Sequence, residues 1–523
     1  MENFMFQNPI LRGYRPDPSI CFVNGDYYLV NSTFEYFPGV PVFHSRDLIN
    51  WKQINACLTR ETQLSLHECR ISGGIYAPTI RWHNGRFYMI TTNVTSGGNF
   101  IVSTDDILGS WSEPIWIDHI GIDPSLFFND DGKTYYCGTG LDGKGKQGIV
   151  LFEIDIETGA ILSDKQFISY GFTEKYPEGP HIYKINEWYY LMLAEGGTEY
   201  GHMETIFRSR SIQGPYESCP NNPILSNRNE MNNEIQCCGH ADITADANGN
   251  WWMVCLGIRK LSNGVMLHNL GRETFLAPVT WTPEGWPQVG RDGVIRETME
   301  GPLPQGETVR QPCGFEDDFT QPQLAPAWTF LRNPRMENYT LANGVLHIKG
   351  CQETLNDFHP SFAGVRQTEF HMNAQVAVSA ELETETARAG ITVYYSKENH
   401  YDFYIERKNG KLWAALSRRI MDLEAVTGKV CLVDTPEGVT LQVETSRKEY
   451  VFRVLGSEGY VTVGTGCAAG VCTEGTMTMT FTGTFIGLFA TETDAQFRAF
   501  RLTESQRENT AIDLVLSEWD SLG

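Results

Sequence analysis

Apolar and polar residues alternate through the first three hundred positions of this chain, and Gly, Asn or Asp breaks the alternation every few residues. Arg86-Phe87-Tyr88-Met89-Ile90-Thr91 and Gly148-Ile149-Val150-Leu151-Phe152-Glu153 are typical runs. A period of two with turn residues between runs predicts short strands joined by hairpins. No stretch carries a long helical period. The runs form a repeat. Asp17-Pro18-Ser19-Ile20 leads to Asn24-Gly25-Asp26-Tyr27-Tyr28, and Ala77-Pro78-Thr79-Ile80 leads to Asn84-Gly85-Arg86-Phe87-Tyr88. Asp123-Pro124-Ser125-Leu126, Glu178-Gly179-Pro180-His181-Ile182 and His240-Ala241-Asp242-Ile243 head three further units of the same kind. A strand, a turn and an aromatic strand recurring about every 45–60 residues is the spacing of propeller blades. The pattern predicts a five-bladed β-propeller over residues 1–300.

Residues 301–314 are rich in Pro, Gly and Gln and read as a linker. From Phe315 the strands lengthen and the alternation becomes cleaner. Val376, Val378, Ala380 and Leu382 share one face of a strand. Asp402–Arg407 and Leu412–Leu416 flank Asn409-Gly410, a strong hairpin signal. Residues 315–523 therefore read as a two-sheet β-sandwich of jelly-roll or concanavalin-like type, so the whole chain is predicted all-β.

Charge and cysteine content narrow the classes of function. The 523 residues carry a formal net charge of −23, which argues against a nucleic-acid partner. The first residues have neither a basic region nor an apolar stretch of signal type, and no apolar run would span a membrane. Thirteen cysteines without a framework or a Cys-x-x-Cys pair read as reduced thiols of a cytosolic protein, and zinc is not expected.

The candidate chemistry lies at the heads of the repeats. The first strand of each blade runs nearest the axis, so equivalent positions converge at one end of the channel. That would gather Asp17, Asp123 and Glu178. Carboxylates crowded together repel, and at least one should hold its proton to an unusually high pH. A protonated carboxyl beside an ionised one supplies acid and base at one pH, the pairing that glycoside hydrolysis uses. Each residue also has a structural reading, since Asp-Pro-Ser is commonly an Asx-turn. Ala77 shows that the repeat does not require an acid there. His240 heads the fifth unit and faces the same axis. Arg272, in a strand-like run, would hold a sugar hydroxyl and an acid, or pair with Glu273. Phe34 and Tyr76 are candidate walls for a sugar ring.

These motifs resemble glycoside hydrolase family 43, in its β-xylosidase branch with a C-terminal sandwich. Arg15-Pro16-Asp17-Pro18-Ser19, Ser32-Thr33-Phe34-Glu35, Gly74-Ile75-Tyr76-Ala77-Pro78, Ile122-Asp123-Pro124-Ser125-Leu126, Glu178-Gly179-Pro180-His181, Gly239-His240-Ala241-Asp242 and Leu270-Gly271-Arg272-Glu273-Thr274 carry the resemblance in order. It implies hydrolysis with inversion, with Asp17 as general base, Glu178 as general acid and Asp123 orienting the acid and raising its pKa. It also implies that Phe34, Tyr76, His240 and Arg272 line the sugar pocket, and that Phe481 or Phe485 of the sandwich adds an aromatic. Catalysis needs no cofactor. Relatives carry a sandwich calcium on an acid near Asp318 and another late in the domain, where Gln496 stands here, so calcium is doubtful. Tyr76 replaces a usual Trp.

The expectation is an intracellular exo-acting β-1,4-xylosidase that trims xylose from short xylo-oligosaccharides. The alternatives are an α-L-arabinofuranosidase or one enzyme doing both, a retaining fructan-acting enzyme, and a non-catalytic carbohydrate-binding protein. The resemblance also suggests a homo-oligomer.

Overall fold

The computed structural model describes residues 2–262, 266–433, 438–477 and 479–505, so 506–523 of the expected sandwich lie outside the described residues. The chain forms two compact units. One comprises Met1–Arg259 and Arg272–Gln311, the other Lys260–Gly271 and Pro312–Gly523. The division at 311/312 falls inside the stretch read as a linker. The short excursion at 260–271, which nothing in the periodicity marks, belongs to the second unit.

The first unit contains five four-stranded antiparallel sheets in sequence order. Their first strands are Ser19–Val23, Thr79–His83, Ser125–Phe128, Glu178–Ile185 and Ile235–Ala245. Each touches the next and the last touches the first, which closes a ring of blades. The hairpins form as the turn chemistry predicts. Asn24 (φ 53°) with Gly25 (φ 96°), and Asn84 (φ 50°) with Gly85 (φ 85°), take the left-handed backbone that a tight hairpin needs. The aromatic second strands bury their rings between neighbouring sheets, in apolar layers such as Tyr88, Ile90, Leu126, Tyr136 and Phe152. The ring is latched where the chain ends of the unit meet: Phe4–Gln7 pairs antiparallel with Thr298–Gly301, and Leu11 bridges Thr274.

The second unit is built of two antiparallel sheets. One has eight strands, with Met372–Ala380 beside Asp494–Glu504 near its middle, and the other has six, with Arg388–Ser396 between Phe485–Thr491 and Asn399–Lys408. The alternation read in Gln375–Leu382 holds as far as Val378: Val376 and Val378 are wholly buried, Ala380 is partly buried, and the strand ends there, before Leu382. All thirteen cysteines are free thiols. Among the described residues no helix is long and apolar enough to cross a membrane.

Candidate active site

The heads of the repeats sit where the chain kinks into each first strand. Asp17 (φ 50°), Asp123 (φ 54°) and His240 (φ 49°) are left-handed, a conformation that costs little for Asp and more for His. In the fourth blade Gly179 (φ 54°) takes the kink and leaves Glu178 one position earlier. The strand register shifts between Glu178 and His181, and again on both sides of Gly239, the second of these shifts spanning His240. Such bulges re-aim side chains out of the ladder, here toward the mouth of the ring.

Asp17 is buried and held from several sides. The Ser32 hydroxyl donates to its Oδ2. Arg272 Nη1 lies 3.3 Å and His240 Nδ1 3.8 Å from its Oδ1. Burial pushes its pKa up, but Arg272, His240 and the Ser32 hydroxyl outweigh burial and hold it below the usual range. Arg272 is fixed in turn by Thr198 Oγ1 at 2.8 Å. Glu273 has a cation from the preceding strand as its partner. Arg259 holds it in a two-pronged bridge (2.7 and 2.9 Å), and Gly13 N–H donates to it as well.

Asp123 and Glu178 behave differently. Oxygens of both lie within 4.8 Å of each other and of a His240 ring nitrogen. Burial and then the charge of Asp17 push Glu178 up to about 7. Burial, Glu178 and Asp17 raise Asp123 well above its ordinary value. Crowding therefore favours protonation of the Glu178–Asp123 pair, while Asp17 is held toward its ionised form. Burial and Arg272 oppose protonation of His240, and its pKa is lowered despite Asp17.

Phe34 and Tyr76 meet with ring centroids 5.2 Å apart, and the Arg272 guanidinium lies 5.7 Å from the Phe34 ring. Phe34 is almost wholly buried, whereas Tyr76 is half-buried and offers more open surface. Glu35 receives the Ser72 N–H, and Tyr76 donates its hydroxyl to Ser72 O at 3.3 Å, so a buried acid steadies this wall.

The structure adds partners that sequence reasoning left without a role. Ser32 and Glu35 flank Phe34 in a motif already singled out, yet nothing in their spacing shows which side chain meets Asp17. Thr198 and His202 come from loops with no repeat signal. His202 lies beneath Gly239, where a Cβ would stand 2.7 Å from its ring. It donates Nδ1–H to Cys237 O at 3.0 Å, and burial pushes its pKa down to about 3, so it stays neutral.

The other expected site residues lie in the second unit. Phe485 opens the strand Phe485–Thr491, is fully buried, and packs under Arg366 at 5.3 Å. Its ring has no open face for a sugar, and this corrects the expectation for Phe485. Phe481 is half-buried. Asp318 is an acidic turn: its Oδ1 receives Thr320 N–H and Oγ1–H at 3.0 and 2.6 Å. Gln496 Oε1 faces the Arg498 guanidinium at 2.6 Å.

Known proteins resemble this chain along most of its length. Residues 6–287 match the family model for glycosyl hydrolases family 43, and residues 316–503 match that of the β-xylosidase C-terminal concanavalin A-like domain. A non-reducing end α-L-arabinofuranosidase of Bacteroides ovatus is 43% identical over 93% of this chain and 91% of its own. A xylosidase/arabinosidase of Butyrivibrio fibrisolvens is 41% identical over 77% of this chain and 80% of its own. The solved structure of a family 43 protein from a Bacteroides ovatus xyloglucan locus superposes with a TM-score of 0.89 at 40% identity, covering 96% of this chain and all of that one.

Proposed function

Because the chain belongs to glycosyl hydrolases family 43, we propose that it is an exo-acting, inverting glycosidase that removes single terminal pentoses, β-1,4-linked xylose and α-L-arabinofuranose, from xylan-type oligosaccharides. The observation that carries this reading is the gathering of three carboxyls in one pocket, Asp17 against the Arg272 guanidinium, His240 and the Ser32 hydroxyl, and Glu178 and Asp123 with oxygens within 4.8 Å of each other and of a His240 ring nitrogen. In the proposed reaction Glu178 gives its proton to the glycosidic oxygen as the bond from the anomeric carbon breaks. A water attacks that carbon from the opposite ring face and passes a proton to Asp17. Asp123 keeps the acid oriented and proton-bearing. Arg272 holds Asp17 in its ionised form and presents a guanidinium to a sugar hydroxyl. Direct displacement needs the two carboxyls far enough apart to seat a water, roughly 6.5–9.5 Å.

Both sugars are included because the two similar proteins carry both names, and both pentoses present comparable hydroxyls to one pocket. Rates on the two nitrophenyl pentosides and on xylobiose test the substrate, and turnover of neither sugar would sink the reading. NMR of the first-formed product tests the stereochemistry: inversion releases α-xylose from a β-xyloside, and β-xylose as first product would overturn it.

A further inference from the structure

The loop that leads into Glu178 is held with more investment than a surface loop needs. Glu195 is wholly buried, and its carboxylate accepts four hydrogen bonds. Phe172 N–H donates at 2.6 Å, Thr173 N–H and Oγ1–H at 2.7 Å each, and Thr205 Oγ1–H at 2.7 Å. Gly171 (φ 85°) passes so close that a Cβ there would stand 2.7 Å from Glu195. Glu174 (φ 57°) and Tyr176 (φ 51°) are left-handed without being glycine, and Gly196 N–H ties Lys175 O at 2.8 Å. Burying a carboxylate and straining two residues costs stability, and such costs persist where the fixed conformation is used.

This loop displays two rings to solvent: Phe172 is 48% and Tyr176 58% exposed. Tyr176 lies two residues before Glu178. Its ring borders Gly197, where a Cβ would be 3.4 Å away, and the next residue, Thr198, bonds Arg272, which bonds Asp17. The Tyr176 ring therefore stands beside the approach to the acid, and Phe172 is carried by the same fixed loop.

We propose that Tyr176 and Phe172 form a subsite for the leaving-group sugar, a neutral pyranose whose apolar ring face packs on the aromatic faces. The inference rests on the hydrolase reading above, in which Glu178 protonates the leaving oxygen and the departing sugar lies on the side of the acid. An aromatic held in place by the backbone binds without first being ordered, which is where a fixed loop gains affinity.

The test compares xylotriose with β-xylosyl fluoride, whose leaving group is a single atom, in wild type, Tyr176→Ala, Phe172→Ala and Tyr176→Phe. In the two alanine variants kcat/KM on xylotriose should fall about tenfold more than on the fluoride, mainly through KM, while Tyr176→Phe keeps the ring and the wild-type ratio. Equal losses on both substrates, or none on xylotriose, would overturn the subsite. Should wild type hydrolyse neither compound, the hydrolase reading fails. Calorimetric titration with xylotriose then still decides the subsite: about tenfold weaker binding in Tyr176→Ala supports it, and unchanged affinity overturns it.

Discussion

Asp17 and Glu178 are two carboxyls in one pocket pushed in opposite directions, and the causes can be removed one at a time. The Ser32 hydroxyl helps keep Asp17 ionised. In Ser32→Ala the acidic limb of the kcat/KM profile should move up by about one pH unit, and an unmoved limb would show that Arg272 and His240 suffice. The other limb belongs to the Glu178–Asp123 pair. Activity should fall as pH rises through about 7, where the shared proton leaves; a profile flat from 6 to 9 would contradict the acid assignment. The same shift makes a stability statement. The folded pKa of Glu178 lies above its ordinary 4.5, so between 4.5 and about 7 the folded protein holds a proton that the unfolded chain has released. Stability is therefore lost as pH rises across that window, by at most ~3.5 kcal/mol at ~1.4 kcal/mol per unit. Glu178→Gln should abolish turnover of unactivated oligosaccharides yet gain stability over wild type at pH 8 and not at pH 4.5. Denaturant midpoints at the two pH values check this, and an equal difference at both would remove the linkage.

The first strands do more than present the heads, because residues further along them meet on the axis in a buried polar network. Asp242 is wholly buried. It accepts from Arg81 at 2.7 and 3.3 Å, from Tyr183 OH at 2.6 Å, from Ser19 Oγ at 2.6 Å and from Ile20 N at 3.1 Å. Arg81 also reaches His181 Nδ1 at 3.0 Å. One carboxylate thus joins the first strands of four blades. Asp242→Asn leaves the Arg81 guanidinium buried without its counter-charge and should cost about 3–5 kcal/mol; a thermal midpoint within a degree of wild type would show that the ring does not depend on the network. Its members show where sequence reading stops. Asn24-Gly25 and Asn84-Gly85 were legible because a hairpin turn is a local problem with local residues. Asp17 and Asp123 were legible because the repeat sets them at equivalent places. Arg81 and Tyr183 were not, since each follows its own head at a different spacing and finds Asp242 only through the ring. Ser32 and Thr198 escaped for the same reason: they reach Asp17 and Arg272 from neighbouring loops, and no periodicity records that.

On the scale of the whole molecule, nothing in the periodicity marks the excursion Lys260–Gly271, because its anchors are distant in sequence. Arg259 and Glu273 clamp its two stems at the last blade. Within the second unit, Asn269 Nδ2 donates to Tyr450 OH at 2.7 Å, and Tyr450 donates onward to Gln367 at 2.9 Å. Thr484 N–H meets Asn269 O at 2.8 Å, and Glu474 receives His268 N–H at 3.0 Å and faces His268 Nδ1 at 2.8 Å. The excursion ends one residue before Arg272, the cation that holds Asp17 ionised. Ending the chain at Gln311 would strip the excursion of every one of these partners and expose buried amides and an unpaired imidazole. The expected result is a protein of 1–311 that unfolds at lower temperature and loses at least about a hundredfold in kcat/KM, consistent with ~2.7 kcal/mol of misplaced positioning. Tyr450→Phe in the full chain is the finer probe. It leaves the Asn269 amide without its acceptor, costs about 1–3 kcal/mol, and should lower kcat more than an equally destabilising change such as Val378→Ala elsewhere in the sandwich. If both variants lose activity only in proportion to stability, the excursion is a passive tether and Arg272 is placed by its own blade.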